Sequence, residues 1–175
     1  MTDATFKKDT TVPMYGEFQA TIVRADGTIE VRPWKRNQLT AAGLNRIANR
    51  AIQPTGTTPF YVLGVGTISA AASLDSTNFG EVANGRKTGI TNPASSALSA
   101  VQSREWIAVV ATWAGFTDSL TGIALESAAI LCHMSSGQGA VANIVNGLGV
   151  TLQNSDFLNL TARIRVGSHD LSHTG

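Results

Sequence analysis

The residues best suited to acid–base or metal chemistry in this 175-residue chain are three histidines, one cysteine and twelve acidic residues. His169 and His173 stand four apart with Asp170 between them. On one face of a helix that spacing clamps a metal ion. The surrounding tail, GSHDLSHTG, is polar and lacks a helix-forming context. The pair therefore reads as part of a solvated tail, or as a symmetric cluster if the C-termini of several copies meet. His133 has Cys132, Ser135 and Ser136 as sequence neighbours, but adjacency in sequence does not make a triad, and no G-x-S-x-G turn is present. Cys132 follows the apolar run 128–131 and reads as a buried, inert thiol; a lone cysteine closes no intrachain disulfide. Glu17, Glu30, Glu105, Glu126 and Asp156 sit in or beside predicted strands. Two of them could form a glycosidase pair, yet nothing marks any two. The expectation is no catalytic residue, no metal site and no cofactor.

Two further patterns suggest binding. Gly64-Val65-Gly66 follows a predicted strand, as in a dinucleotide-binding loop. That loop needs a third glycine or alanine three residues on, opening a helix. Ser69 occupies the position, and the run 70–73 is too short for the helix. Arg163 and Arg165 share the outer face of the last predicted strand. They would form a basic stripe for phosphate or carboxylates, or pair with glutamate on the neighbouring strand.

Composition narrows the function classes. Net charge is +1 and 14% of residues are charged, against about a quarter in an average domain. A nucleic-acid binder working by charge would show a clustered basic excess, so no specific nucleic-acid partner is expected. No run reaches the roughly 18 apolar residues of a membrane span, and the opening residues 1–11 show no secretory signal. Many small neutral residues suggest surfaces packed against other subunits.

The elements that must position these residues follow from periodicity. Leu44, Ile47, Ala48, Ala51 and Ile52 fall on one helical face. Thr40 is the expected N-cap, Pro54 and Gly56 the stop. Gly43 costs this helix about 1 kcal/mol relative to Ala. Residues 60–63 read as strand, and Gly64 and Gly66 as places of close backbone approach or unusual φ. Residues 16–35 predict a tight hairpin turning at Asp26-Gly27, with Pro33 confining its second strand to an edge. Trp34 is either core or an interface anchor. Asn84-Gly85 predicts a small hairpin of 81–83 against 86–88, inside a protruding contact loop spanning 68–100. Residues 101–116 predict a long strand covered on both faces, and 122–126, 128–134, 141–145 and 149–152 shorter strands, with a turn at Asn146-Gly147. Residues 157–166 alternate with a clean period of two. The fold class is mainly β: an antiparallel, jelly-roll-like β-sandwich with one short α-helix at about 40–52. Residues 1–14 form an extended arm, 15–167 the single domain, and 168–175 a tail.

Taken in order, Asn37-Gln38-Leu39-Thr40, Ala42-Gly43-Leu44-Asn45-Arg46-Ile47-Ala48, Tyr61-Val62-Leu63-Gly64-Val65-Gly66-Thr67 and Gly122-Ile123-Ala124-Leu125-Glu126, closed by the alternating strand, resemble small virion structural proteins of tailed bacteriophages. The resemblance implies a non-enzymatic β-sandwich assembling symmetrically on a virion. The expected role is a capsid decoration or cement protein, a homotrimer contacting the major capsid protein. The alternatives are a tail, baseplate or fibre-associated protein contacting tail proteins, and a glycan-binding module using Trp34, Trp106 or Trp113. Expected interface residues are Phe6, Lys7 and Lys8 of the arm, with Tyr15, Trp34, Arg163 and Arg165.

Overall fold

The computed structural model describes residues 14–52, 60–70, 77–91, 105–135 and 140–166. Two antiparallel sheets pack face to face, with one helix. The first sheet runs β2–β1–β10–β7–β6, from β1 (Met14–Val23), β2 (Ile29–Val31), β6 (Ile90–Thr91), β7 (Glu105–Ala114) and β10 (Phe157–Val166). β3 (Lys35–Gln38) pairs the same side of β1 as β2 does, beyond an interruption at residues 32–34. Pro33, which has no N–H for a ladder, sits in that interruption. The second sheet runs β5–β4–β8–β9, from β4 (Val62–Gly66), β5 (Glu81–Thr88), β8 (Ala124–Leu131) and β9 (Val141–Thr151). The expected β-sandwich with one helix is the observed fold.

Alternation builds the core. Phe18, Ala20 and Ile22 of β1, Leu158, Leu160, Ala162 and Ile164 of β10, and Trp113 of β7 are buried against Leu63, Ile130, Leu125 and Val150 of the second sheet. The second sheet is buried on its other face too: Val62, Ala129, Leu131, Val141 and Ile144 cluster with Phe79. Phe79 lies on two glycines of β4. A Cβ at Gly64 would come within 2.9 Å of its ring, and one at Gly66 within 2.0 Å of its carbonyl oxygen. Gly64 and Gly66 are thus the close-approach positions that their place at the strand end implied. Ser127 Oγ and Ile68 N–H also donate to that carbonyl.

Helix α1 (Ala41–Ile52) begins at the expected cap, with Gly43 N–H donating to Thr40 Oγ1 at 2.9 Å. Thr40 also ties the helix to β9, through its N–H to the Ala142 carbonyl (2.9 Å) and its hydroxyl to the Val141 carbonyl. Gly43 is where helix and strand meet: a Cβ there would lie 2.5 Å from Ala142 O and 2.7 Å from its Cα. The predicted apolar face is seated on one side only. Ile47 is half-buried, while Leu44 and Ala48 are exposed.

Four expectations are corrected. Asn84-Gly85 does not turn a hairpin; β5 continues past it with a three-residue bulge between Glu81 and Arg86, opposite Gly64–Gly66 of β4, and Asn84 takes φ +59° within that bulge. Asn146-Gly147 likewise lies inside the single strand β9, with Gly147 at φ +72°. β8 is not broken at Ser127 but shifts register there. Among its described side chains, 109–114, β7 has one fully buried face: Val109, Ala111 and Trp113 are buried, while on the other face Val110 and Ala114 are half-buried and Thr112 is exposed. Extra residues in one strand, three in β5 and two in β9, absorb a positive φ without ending the pairing, so the turn signal and the bulge signal coincide.

Candidate functional site

The β1–β2 hairpin decides which side chains reach the surface. Arg24 N–H donates to Thr28 O at 2.8 Å and Gly27 N–H to Arg24 O at 3.0 Å, enclosing three loop residues, with Gly27 at φ +85°. A two-residue Asp26-Gly27 loop would set Ile29 and Val31 beside the core residues of β1. The third loop residue shifts the pairing by one and exchanges the faces. Ile22 now faces Glu30, and Ile29 and Val31 lie opposite Val23 and Thr21. Ile29 is 63% and Val31 60% exposed.

The outer face of the first sheet is therefore laid out in rows. At one end, Ile29, Val23, Phe157 and Ala114 stand side by side across β2, β1, β10 and β7. The next row is Val31, Thr21, Asn159 and Thr112. Thr112 Oγ1 donates to Asn159 Oδ1 at 2.6 Å. Phe157 is 47% exposed, so the apolar end of the face is open. It carries aliphatic and aromatic side chains with neutral amides and hydroxyls behind them.

The other end carries charge stacked on rings. Arg163 of β10 donates from Nε to Glu17 Oε2 of β1 at 2.8 Å, and its guanidinium lies 3.9 Å from the centre of the Trp34 ring. Arg36 of β3 lies 4.4 Å from the centre of the Tyr15 ring and 3.9 Å from Glu17 Oε1. Glu17 is buried beneath the two arginines. A desolvated carboxylate is tolerated here because two cations flank it, and each guanidinium gains from the ring face under it. Arg163 thus pairs with a glutamate on the next strand, one of the two roles open to it from sequence.

The structure brings four of the expected interface residues to this face. Tyr15, Trp34 and Arg163 sit in the stack, and the Arg165 backbone lies opposite Tyr15; the Arg165 side chain lies outside the described residues. Tyr15 is buried beneath Arg36, so a partner at this point meets the arginine first, and Trp34 is half-buried under Arg163. Phe6, Lys7 and Lys8, with His169 and His173, lie outside the described residues. Of the tryptophans considered for sugar stacking, Trp113 is fully buried, and the Trp106 side chain is not described.

The remaining polar clusters hold loops. Asp156, buried in the β9–β10 turn, accepts from Gln153 N–H (2.9 Å), Ala25 N–H (3.1 Å) and Arg24 Nη1 (2.8 Å), while Arg24 Nε donates to Glu30 at 2.7 Å. These bonds hold both carboxyls below their ordinary range: for Asp156 the Gln153 N–H acts most strongly, for Glu30 the Arg24 guanidinium. Arg24 is pushed upward by Glu30 and then Asp156, and stays charged. Arg86 grips Glu81 at 2.6 and 2.8 Å and the carbonyls of His133 and Ser135 at 2.7 Å each. Cys132 is buried and accepts from Ala140 N–H. Among the described residues no group of three His, Cys, Asp or Glu is placed to hold a metal, and no helix is long and apolar enough to cross a membrane. No family model, no curated protein and no solved structure matches the chain.

Proposed function

We propose that the protein is a structural component of a bacteriophage virion, acting as a capsid decoration or cement protein. In this reading it stabilises the head by symmetric protein–protein contacts, as a homotrimer set against the major capsid protein. The observation that carries the reading is the open apolar end of the first sheet, where Ile29, Val31 and Phe157 stand exposed on a rigid β face. Contiguous exposed apolar surface on a soluble domain marks an interaction site. The low charge of the chain and its ordered set of motifs, which resembles that of small tailed-phage structural proteins, support the same reading. Partner docking would desolvate the apolar rows, while the Trp34–Arg163–Glu17–Arg36–Tyr15 stack presents a charged border that sets orientation.

The test is binding to shells that lack the protein. Phe157→Asp places a charge at the centre of the apolar rows and is expected to abolish shell occupancy while leaving the thermal unfolding of the free protein unchanged. Binding of that variant at the wild-type level would remove this face from the account. A tail, baseplate or fibre location is the alternative that the same face would serve.

A further inference from the structure

Strand β2 forms a rim of the first sheet, and among the described residues nothing pairs with its far side. The phase of the ladder fixes which backbone groups face that rim. Arg24 N–H donates to Thr28 O and Arg32 N–H to Ala20 O, both at 2.8 Å. Thr28, Glu30 and Arg32 are thereby the residues that bond inward to β1. Bonding alternates along an antiparallel pair, so Ile29 and Val31 turn their N–H and C=O groups outward. Their side chains are exposed as well. Sheet rims are ordinarily blunted by lysine, proline or a bulge. Here two neutral β-branched residues stand on the rim, and the first blocking residue is Pro33.

We propose that β2 pairs with β2 of a second copy across a two-fold axis at Val31, joining two first sheets into one. In such a contact residue i meets j while j meets i. With Val31 on the axis, Val31 exchanges both backbone bonds with its counterpart. Each Ile29 N–H reaches the Pro33 carbonyl of the other copy, while the Ile29 carbonyl is left to solvent because Pro33 has no N–H to return, so the ladder ends there. Glu30 then stands opposite Arg32 of the other copy at a non-hydrogen-bonded site, where Cα atoms approach to about 4.5 Å and opposite charges attract. The neighbouring phases are worse. An axis at Glu30 opposes two carboxylates, and an axis at Ile29 sets Glu30 against Thr28. Arg32 has capacity for a second anion: its side chain is 43% exposed, and its Nη2 is 3.4 Å from its own Glu30. The pairing goes beyond the proposed virion role and does not depend on it. It would form a dimer of the free chain, or link copies of neighbouring trimers.

Sedimentation of the full chain over a wide concentration range tests the contact. The expected result is reversible association into even-numbered species. Val31→Lys is expected to raise the dissociation constant roughly 100-fold or more with an unchanged thermal midpoint, while Val31→Thr keeps the association. Val31→Cys fixes the register: it is expected to couple to itself with a short bis-maleimide, whereas Asp26→Cys does not. A chain that stays monomeric near 1 mM, a Val31→Lys variant that associates like wild type, or a Val31→Cys variant that fails to couple overturns the proposal. If Val31→Lys does not fold, the Val31→Cys result decides.

Discussion

Replacing Gly43 by alanine sets two effects of opposite sign against each other. Helix propensity favours alanine by about 1 kcal/mol, so from the sequence the change should stabilise α1. The structure reverses the sign. The new Cβ would sit 2.5 Å from Ala142 O, 2.7 Å from its Cα and 3.0 Å from its C, all backbone atoms of β9. Carbon contacts are relaxed at about 3.5–4.0 Å, so the helix must move away by roughly 1 Å. The Thr40 bonds to the Ala142 and Val141 carbonyls resist that movement. Overpacking of this kind costs about 1–3 kcal/mol, and a weakened buried hydrogen bond about another 1 kcal/mol. The net expectation is destabilisation by about 1–3 kcal/mol, read from urea unfolding followed by tryptophan fluorescence. Asn45→Ala, on an exposed position of the same helix, is the control and should stabilise by a few tenths of a kcal/mol. If Gly43→Ala raises the unfolding midpoint as Asn45→Ala does, α1 is not seated on β9 at this residue.

Phe79→Ala removes the ring packed on Gly64 and Gly66 and should cost about 3–4 kcal/mol in the same unfolding experiment. Glu17→Gln leaves Arg163 and Arg36 without their shared anion; both arginines are partly solvated, so about 1–2 kcal/mol is expected. A double-mutant cycle with Arg163→Met would show whether that loss belongs to the pair. Asp156→Ala strips the acceptor from two backbone N–H groups and Arg24, at about 2–4 kcal/mol. Asp156 and Glu30 are held below their ordinary values of 3.8 and 4.5, so their contribution is full above those values and fades as pH falls through the lower folded ones. Unfolding midpoints should therefore drop below about pH 4, and less steeply in Asp156→Asn.

Periodicity made the core elements legible. The clean alternation of 157–166 became β10 with its faces as expected, and Thr40 capped a helix that ended at Ile52. Bulges were not legible, because Asn84-Gly85 and Asn146-Gly147 carry the same residues whether a strand turns or absorbs two or three extra residues. The candidate site was half legible. Arg163 and Trp34 could be named from type and position, but their stacking through Glu17 depends on β1 lying beside β10, a pairing of distant segments. Ile29 and Val31 alternate with Glu30 and Arg32, a pattern that does not say by itself which set faces the core. One added loop residue at Ala25–Gly27 turned them outward, a change of parity that composition does not reveal. Gly43 carried its meaning in a contact with β9 about a hundred residues away, which propensity, a local quantity, cannot see.

The most direct test of the proposed role is gold or fluorescent labelling of the protein on intact virions from cells that produce it, viewed by electron or fluorescence microscopy. The account predicts label spread over the head. Label confined to the tail would move the docking face to a tail or baseplate partner, and virions carrying no label would contradict the structural role itself.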